Sequence, residues 1–379
     1  MPDPVPPATL IIAASEANAD LYYATRFLAP DPFVYLQVDG RSLILASDLE
    51  IDRARREARV DEVWPLRRYE ERARARGAAT PGMVEAAAEA LRELGVASLV
   101  VPATFPLAHA DVLRARGWAV QARPDPFFAA RARKTPEEVA HITETQRRTE
   151  AALGEAIQMI REAEVRDGVL YRGGAPLTSE ALRATLARCL LELDCLARHS
   201  IVACGIDGCD PHHHGAGPLR ANESIIIDVF PQSLSTRYHA DITRTVVVGR
   251  GSDALKRMYE AVLRGQERAL GLIRAGADGT AIHAEVEKVF EAAGFTTGEV
   301  DGRQQGFFHG TGHGLGLEIH EPPRIAKRGA TLEEGHVVTV EPGLYYPAWG
   351  AVRIEDVVVV AEGGCQNLTQ FPKFLEIDD

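Results

Sequence analysis

Four carboxylates stand inside or at the ends of apolar, strand-forming runs of this chain, where a soluble protein can tolerate them only if something neutralises them. Asp228 follows Ile225-Ile226-Ile227, and Asp241 opens a run continuing Ile242-Thr243-Arg244-Thr245-Val246-Val247-Val248. Glu341 closes Val337-Val338-Thr339-Val340, and Glu355 precedes Asp356 and the valines 357 to 360. A fifth group, His313, lies in a glycine-spaced run from His309 to Gly316. Like charges brought to about 4 Å at an effective dielectric near 20 repel by about 4 kcal/mol per pair. Two divalent cations cancel four negative charges. Asp228, Asp241, His313, Glu341 and Glu355 therefore read as the ligand shell of a dinuclear metal site, and the chemistry such a pair supports is hydrolysis with metal-activated water.

Spacing supports convergence. Asp228 and Asp241 flank the polar segment Pro231 to His239, so a hairpin brings both to one end; Glu341 and Glu355 are expected to repeat the arrangement on strands Val337 to Glu341 and Ala351 to Val360, with Pro342-Gly343 and Pro347 to Gly350 at the turn. Strand alternation puts Arg353 on the face of Glu355, and Thr243 and Thr245 on the face of Asp241. Asp356 and Arg244 point the other way. Gly312 and Gly314 let backbone approach closely beside His313. Carboxylates with one imidazole suit Mn²⁺, Co²⁺, Fe²⁺ or Zn²⁺, and the lack of thiolate ligands argues against structural zinc. Three further histidines, His309, His320 and one of His212, His213 and His214, with His212 preferred, are placed to act as proton donors, ligands or substrate contacts. The run 310 to 316 is not a phosphate loop, because no Gly-Lys-Ser/Thr follows it.

A length of 379 residues calls for two domains. Residues 1–132 alternate short apolar runs with helical segments, which reads as a small α/β domain. Residues 133–379 form an α+β domain. It opens on a helix capped by Thr135, with Pro136 at the first position and Glu138 at the third, reaching about Glu162; further helices are expected over Ser179 to Leu193, Ser252 to Arg274 and Thr280 to Ala293. A net charge of -12 argues against nucleic acid or an anionic membrane as partner. The arginine-rich stretches 53–59 and 67–76 are interleaved with glutamate and alanine and read as solvated helix faces. Five cysteines without C-x-x-C spacing, and an N-terminus lacking a signal-type apolar region, point to reduced thiols and the cytoplasm.

At these residues the sequence resembles the pita-bread metallopeptidases, the family of methionine aminopeptidase, aminopeptidase P and prolidase. The matching stretches are Ile227-Asp228, Ala240 to Thr245, His309 to Glu321, Thr339 to Gly343 and Val352 to Asp356. The resemblance implies a pita-bread catalytic domain preceded by a creatinase-type domain, with Asp228, Asp241, His313, Glu341 and Glu355 as metal ligands. Asp241 and Glu355 would bridge, and Glu341 would also manage the proton of the attacking water. His212, His309 and His320 would bind substrate and stabilise the tetrahedral intermediate, and Arg353 belongs to the proline-specific branch. One departure is the loop after Asp228, longer than the family's usual turn; its Arg237 and His239 are expected to border the substrate pocket.

The resulting expectation is an exopeptidase cleaving Xaa-Pro bonds in short peptides, an Xaa-Pro dipeptidase or a small aminopeptidase P. It would use two divalent ions, Mn²⁺ foremost, and form a homodimer. A substrate carboxylate would be held by Arg353 or Arg237. The rivals are a metallo-carboxypeptidase or general dipeptidase on the same scaffold, and a creatinase-like hydrolase.

Overall fold

The computed structural model describes residues 7–377 and divides the chain into two compact units, Met1–Arg131 and Ala132–Asp379. In the first, strands β1 (Ala8–Ala13), β2 (Phe33–Val38), β3 (Arg41–Ala46), β4 (Glu62–Pro65), β5 (Ser98–Pro102) and β6 (Ala119–Arg123) form one sheet in the order β4-β3-β2-β1-β5-β6. Alternation sorts its side chains into two cores. Leu10, Val34 and Leu36 pack with helices α3 (Leu66–Ala75), α4 (Met83–Glu93) and α5 (Leu107–Ala115), while Ile11, Phe33 and Tyr35 pack with α1 (Ala19–Thr25) and α2 (Ile51–Glu57). The unit is a three-layer α/β/α sandwich. Helix α4 starts at Met83 behind Gly82, where Glu85 reaches back to the Gly82 amide.

The second unit opens on α6 (Pro136–Arg161), begun by the expected capping box: Glu138 N–H donates to Thr135 Oγ1, and Thr135 N–H donates to the Glu138 carboxylate. Helix α7 (Ser179–Glu192) is capped by Thr178, α8 (Asp253–Leu270) by Ser252 and α9 (Gly279–Ala292) by Asp278. Strands β7 (Ile201–Cys204), β8 (Ile225–Val229) and β9 (Ile242–Val248) pair antiparallel in that order, and α6 and α7 share a core with them through Leu153, Ile157, Leu186, Ile227 and Val246. A second sheet contains β10 (Gly312–Gly314), β11 (Glu321–Ile325), β12 (Val337–Val340), β15 (Asp356–Ala361) and β16 (Gly364–Asn367) in the order β11-β10-β12-β15-β16. Its core partners are α8 and α9, through Met258, Val262, Val286, Val338 and Val358.

One expected strand is broken. Ala351 to Val360 is not continuous, because β13 (Gly343–Tyr346) and β14 (Gly350–Arg353) form a hairpin of their own, while β12 pairs with β15. Between Val340 opposite Asp356 and Gly343 opposite Arg353 the ladder opens, leaving residues 341–342 on one side and 354–355 on the other. Both glutamates lie in that opening.

Candidate active site

Each hairpin delivers its carboxylates at or near the end of its strand pairing. Asp228 lies opposite Thr243 in the β8–β9 register, and Asp241 immediately precedes β9. The amides of both glutamates are taken by neighbouring strands: Glu341 N–H donates to Thr311 O at 2.8 Å and Glu355 N–H to Thr243 O at 3.1 Å. Thr243 Oγ1 donates to Glu355 at 2.8 Å, and Thr339 Oγ1 lies 3.3 Å from Glu341 Oε1. Backbone packing beside His313 leaves no room for a side chain, since a Cβ on Gly312 would lie 1.9 Å from Thr339 O.

Asp228, Asp241, His313, Glu341 and Glu355 all line one cavity of about 580 Å³. Asp241, His313 and Glu355 each offer a ligand atom, all within 4.8 Å of one another. His313 Nδ1 lies 3.0 Å from Gly314 O, and a carbonyl can only accept, so the ring proton is on Nδ1. Its bare Nε2 lone pair then faces Glu341 Oε1 at 3.4 Å and Asp241 Oδ2 at 3.7 Å. Asp228 Oδ1 and Glu355 Oε1 are buried without a hydrogen-bond partner among the described residues. Carboxylate and imidazole lone pairs converging in this way are the arrangement a cation resolves, and the donor set of carboxylates and one imidazole fits divalent first-row ions.

Without a cation the charges answer in the expected directions. Burial, then the charges of Glu355, Asp228 and Glu341, hold the Asp241 carboxyl well above the ordinary range; burial, then Glu341 and Asp228, does the same to Glu355. Burial lifts Glu341 to about 7, opposed by Arg353 and helped by Asp228. Burial, and then His320, depresses the His313 imidazole to about 3.

Face assignment from strand alternation matches what the side chains do. Arg353 turns into the site and Arg244 and Asp356 turn away, pairing with each other at 2.9 Å in a buried ion pair. Arg353, however, is 4% exposed and engaged by Asp228 at 2.7 Å, by Tyr345 Oη at 2.9 Å and by Thr243 Oγ1 at 3.3 Å, which leaves it poorly placed to receive a substrate carboxylate.

His212, His309 and His320 also line the cavity, whereas His213 and His214 do not. The His309 Nδ1 proton goes to Gly310 O at 2.8 Å, and its Nε2 accepts from Tyr345 O–H at 2.9 Å. His320 stands edge-on to His313, ring centroids 4.4 Å apart.

Arg237 and His239 are absent from the cavity lining, contrary to the expectation for the longer loop. The loop folds back on itself and away: Arg237 N–H donates to Ser233 O, Leu234 N–H to Asp194 O, and His239 N–H to Gly316 O. Phe230 is the part of it that reaches the cavity. The lining instead includes Arg324, an exposed cation on β11 opposite His313, with Phe308 and Ile319. Arg324 sits four residues beyond His320, a spacing that offered the only sequence clue to it.

With this geometry in view, comparison with known proteins is decisive. A model of metallopeptidase family M24 matches residues 140–362. The chain belongs to metallopeptidase family M24. An Xaa-Pro dipeptidase from Pyrococcus furiosus is 36% identical over 173 residues, covering 45% of this chain and 47% of that protein. The chain thus spans about half the length of the curated relatives it matches. The crystal structure of an X-Pro aminopeptidase from Thermotoga maritima superimposes with a TM-score of 0.80 at 25% identity, covering 98% of this chain and 97% of the other. An Xaa-Pro dipeptidase from Bacillus anthracis gives 0.80 at 26%, covering 98% and 95%. The M24 fold is therefore the pita-bread catalytic domain behind an N-terminal α/β domain, as the resemblance implied.

Proposed function

We propose that this M24 member is an Xaa-Pro exopeptidase acting on short peptides, with a dinuclear centre held by Asp228, Asp241, His313, Glu341 and Glu355. The observation that carries the reading is the set of buried lone pairs on Asp228, His313 and Glu355 converging on one cavity floor. The names of the relatives support the substrate class. Residues 1–132 are assigned as a creatinase-type domain and residues 133–379 as the catalytic domain, with Mn²⁺ the first ion to test. Divalent cations bound by these five groups would polarise the scissile carbonyl and acidify the attacking water.

The chain's own side chains then divide the remaining work. Glu341 takes a proton from water, because its carboxyl is the one of the four most open to the cavity. Arg353 balances Asp228 and, through Tyr345, fixes the orientation of His309. His212 and His320, exposed at the cavity, offer N–H groups toward the oxyanion or the leaving nitrogen. Phe230, Phe308 and Ile319 give the apolar surface a proline ring requires.

Arg324 favours the dipeptidase form of the reading, since an exposed guanidinium on the lining suits a substrate's C-terminal carboxylate. Product analysis on an Xaa-Pro dipeptide, an Xaa-Pro-Yaa tripeptide and their N-blocked forms tests it. Cleavage of the dipeptide in preference to the rest is expected. Efficient cleavage of N-blocked peptides would replace the reading with a carboxypeptidase, and metal-independent turnover would end it.

A further inference from the structure

Two buried glutamines hold the backbone on which three of the five candidate ligands stand. Gln266 on α8 and Gln146 on α6 are both 0% exposed. Each lies on its helix's apolar stripe: Gln266 follows Val262 by four positions, and Gln146 follows Ile142 by four. An amide in such a place costs free energy unless its groups are paired, so its partners indicate its purpose.

Gln266 Nε2 donates to Val340 O at 2.9 Å and to Ile354 O at 3.2 Å. These carbonyls immediately precede Glu341 and Glu355. They lie at the opening between the β12–β15 and β13–β14 ladders, where the regular strand pairing stops. The two N–H groups of one amide tie the two strands together across the gap. The cost is visible in the same residue, because Gln266 Oε1 is buried with no hydrogen-bond partner among the described residues.

Gln146 acts on the other half in the manner of a peptide group. Its Oε1 accepts from Asp241 N–H at 3.1 Å and its Nε2 donates to Asp241 O at 2.9 Å, with a further bond to Thr369 Oγ1 at 3.1 Å. Asp241 precedes the first residue of β9, so a side chain from α6 supplies the pairing there.

We infer that Gln146 and Gln266 are positioning residues of the metal centre, setting through main-chain hydrogen bonds the separation of Asp241, Glu341 and Glu355. The inference rests on the metal-centre reading above. Neither glutamine touches substrate or ion; each acts through the ligand-bearing backbone, so it governs metal affinity and turnover more than substrate binding.

The test uses Gln266→Met and Gln146→Met in the full chain, which keep side-chain length and remove the amide. Circular dichroism and thermal melts in chelator report folding. Calorimetric titration with Mn²⁺ reports affinity, and the visible spectrum of the Co²⁺-loaded protein reports ligand geometry. Outer-shell partners typically change metal affinity or activity by about 10- to 100-fold, and that loss is expected here, with an altered Co²⁺ spectrum and kcat falling while KM stays within about two-fold. Gln266→Asn, one methylene too short to span both carbonyls, is the second variant should methionine prevent folding; the same loss is expected. Folded variants with wild-type Mn²⁺ affinity and Co²⁺ spectrum overturn the inference. Wild-type protein and Asp241→Ala are titrated alongside: metal bound by the first and lost by the second keeps the metal-centre reading whatever the glutamine variants do, while no metal bound by wild type overturns both.

Discussion

Replacing Glu341 by glutamine in metal-stripped protein should make the fold more stable at neutral pH, an outcome opposite to its expected effect on activity. Burial raises the Glu341 carboxyl from 4.5 to about 7, against the pull of Arg353. A folded-state pKa above the unfolded value means that the folded protein holds the proton more tightly. The associated stability is complete below about pH 4.5 and is lost as pH rises through about 7. That interval corresponds to about 3 kcal/mol, at about 1.36 kcal/mol per pH unit. Glutamine keeps the shape and has no proton to lose. His309 and His313, both depressed to about 3 by burial, work in the opposite sense, their contribution being lost as pH falls, so the wild-type curve alone mixes the two effects. The difference between wild type and Glu341→Gln removes the histidine contribution, while the Asp241 and Glu355 carboxyls, which the Glu341 charge also raises, change in the same sense as Glu341 itself. Urea denaturation in chelator should find the two proteins equal near pH 4.5 and the variant ahead by about 3 kcal/mol near pH 8. Saturating Mn²⁺ should reverse the order, because the variant has lost an anionic donor. A difference that stays flat across this range, or a variant less stable in chelator near pH 8, would refute the reasoning.

Other perturbations test separate parts of the site. Arg324→Ala should raise KM for an Xaa-Pro dipeptide by about ten-fold or more, the value of a lost charge-assisted contact, and leave the C-terminally amidated peptide nearly unaffected; equal effects on both would remove Arg324 from carboxylate binding. Lys134 and Glu321 form a buried ion pair at 2.9 Å beside the His320 turn, so Lys134→Met should cost about 3 to 5 kcal/mol by denaturation, and Lys134→Met with Glu321→Gln distinctly less. An unchanged midpoint in the single variant would show that the pair is not a determinant of stability. Gly312→Ala forces a Cβ to within 1.9 Å of Thr339 O and should cost at least about 3 kcal/mol, together with metal binding; a soluble variant with wild-type melting temperature would contradict the packing described.

Strand chemistry made much of this site readable from the residues alone. A carboxylate after Ile225-Ile226-Ile227 or Val337-Val338-Thr339-Val340 is anomalous wherever those strands lie, and period-two alternation correctly turned Arg353 inward and the Arg244–Asp356 pair outward. Helix starts were equally local: Thr135 with Glu138 caps α6 through bonds between residues three apart. The interruption at Ile354-Glu355 was hidden, because the run from Ala351 to Val360 carries no glycine or proline to mark it. It arises where two ladders diverge, and divergence belongs to the pairing of strands, not to either one. The loop with Arg237 and His239 misled for a related reason, since its direction is set by Asp194 and Gly316, distant in sequence.

The sequence by itself determined the candidate donor types and, apart from the broken run Ala351 to Val360, the strands that carry them, because these follow from short-range sterics and the cost of burying charge. Only the tertiary structure decided which cation of the cavity lining is exposed, Arg324, and which is already committed to an anion, Arg353. It alone showed that Gln146 and Gln266 look inward at ligand backbone. Such facts depend on which helix faces which strand, and a polar residue on an apolar helical stripe does not state what it will meet.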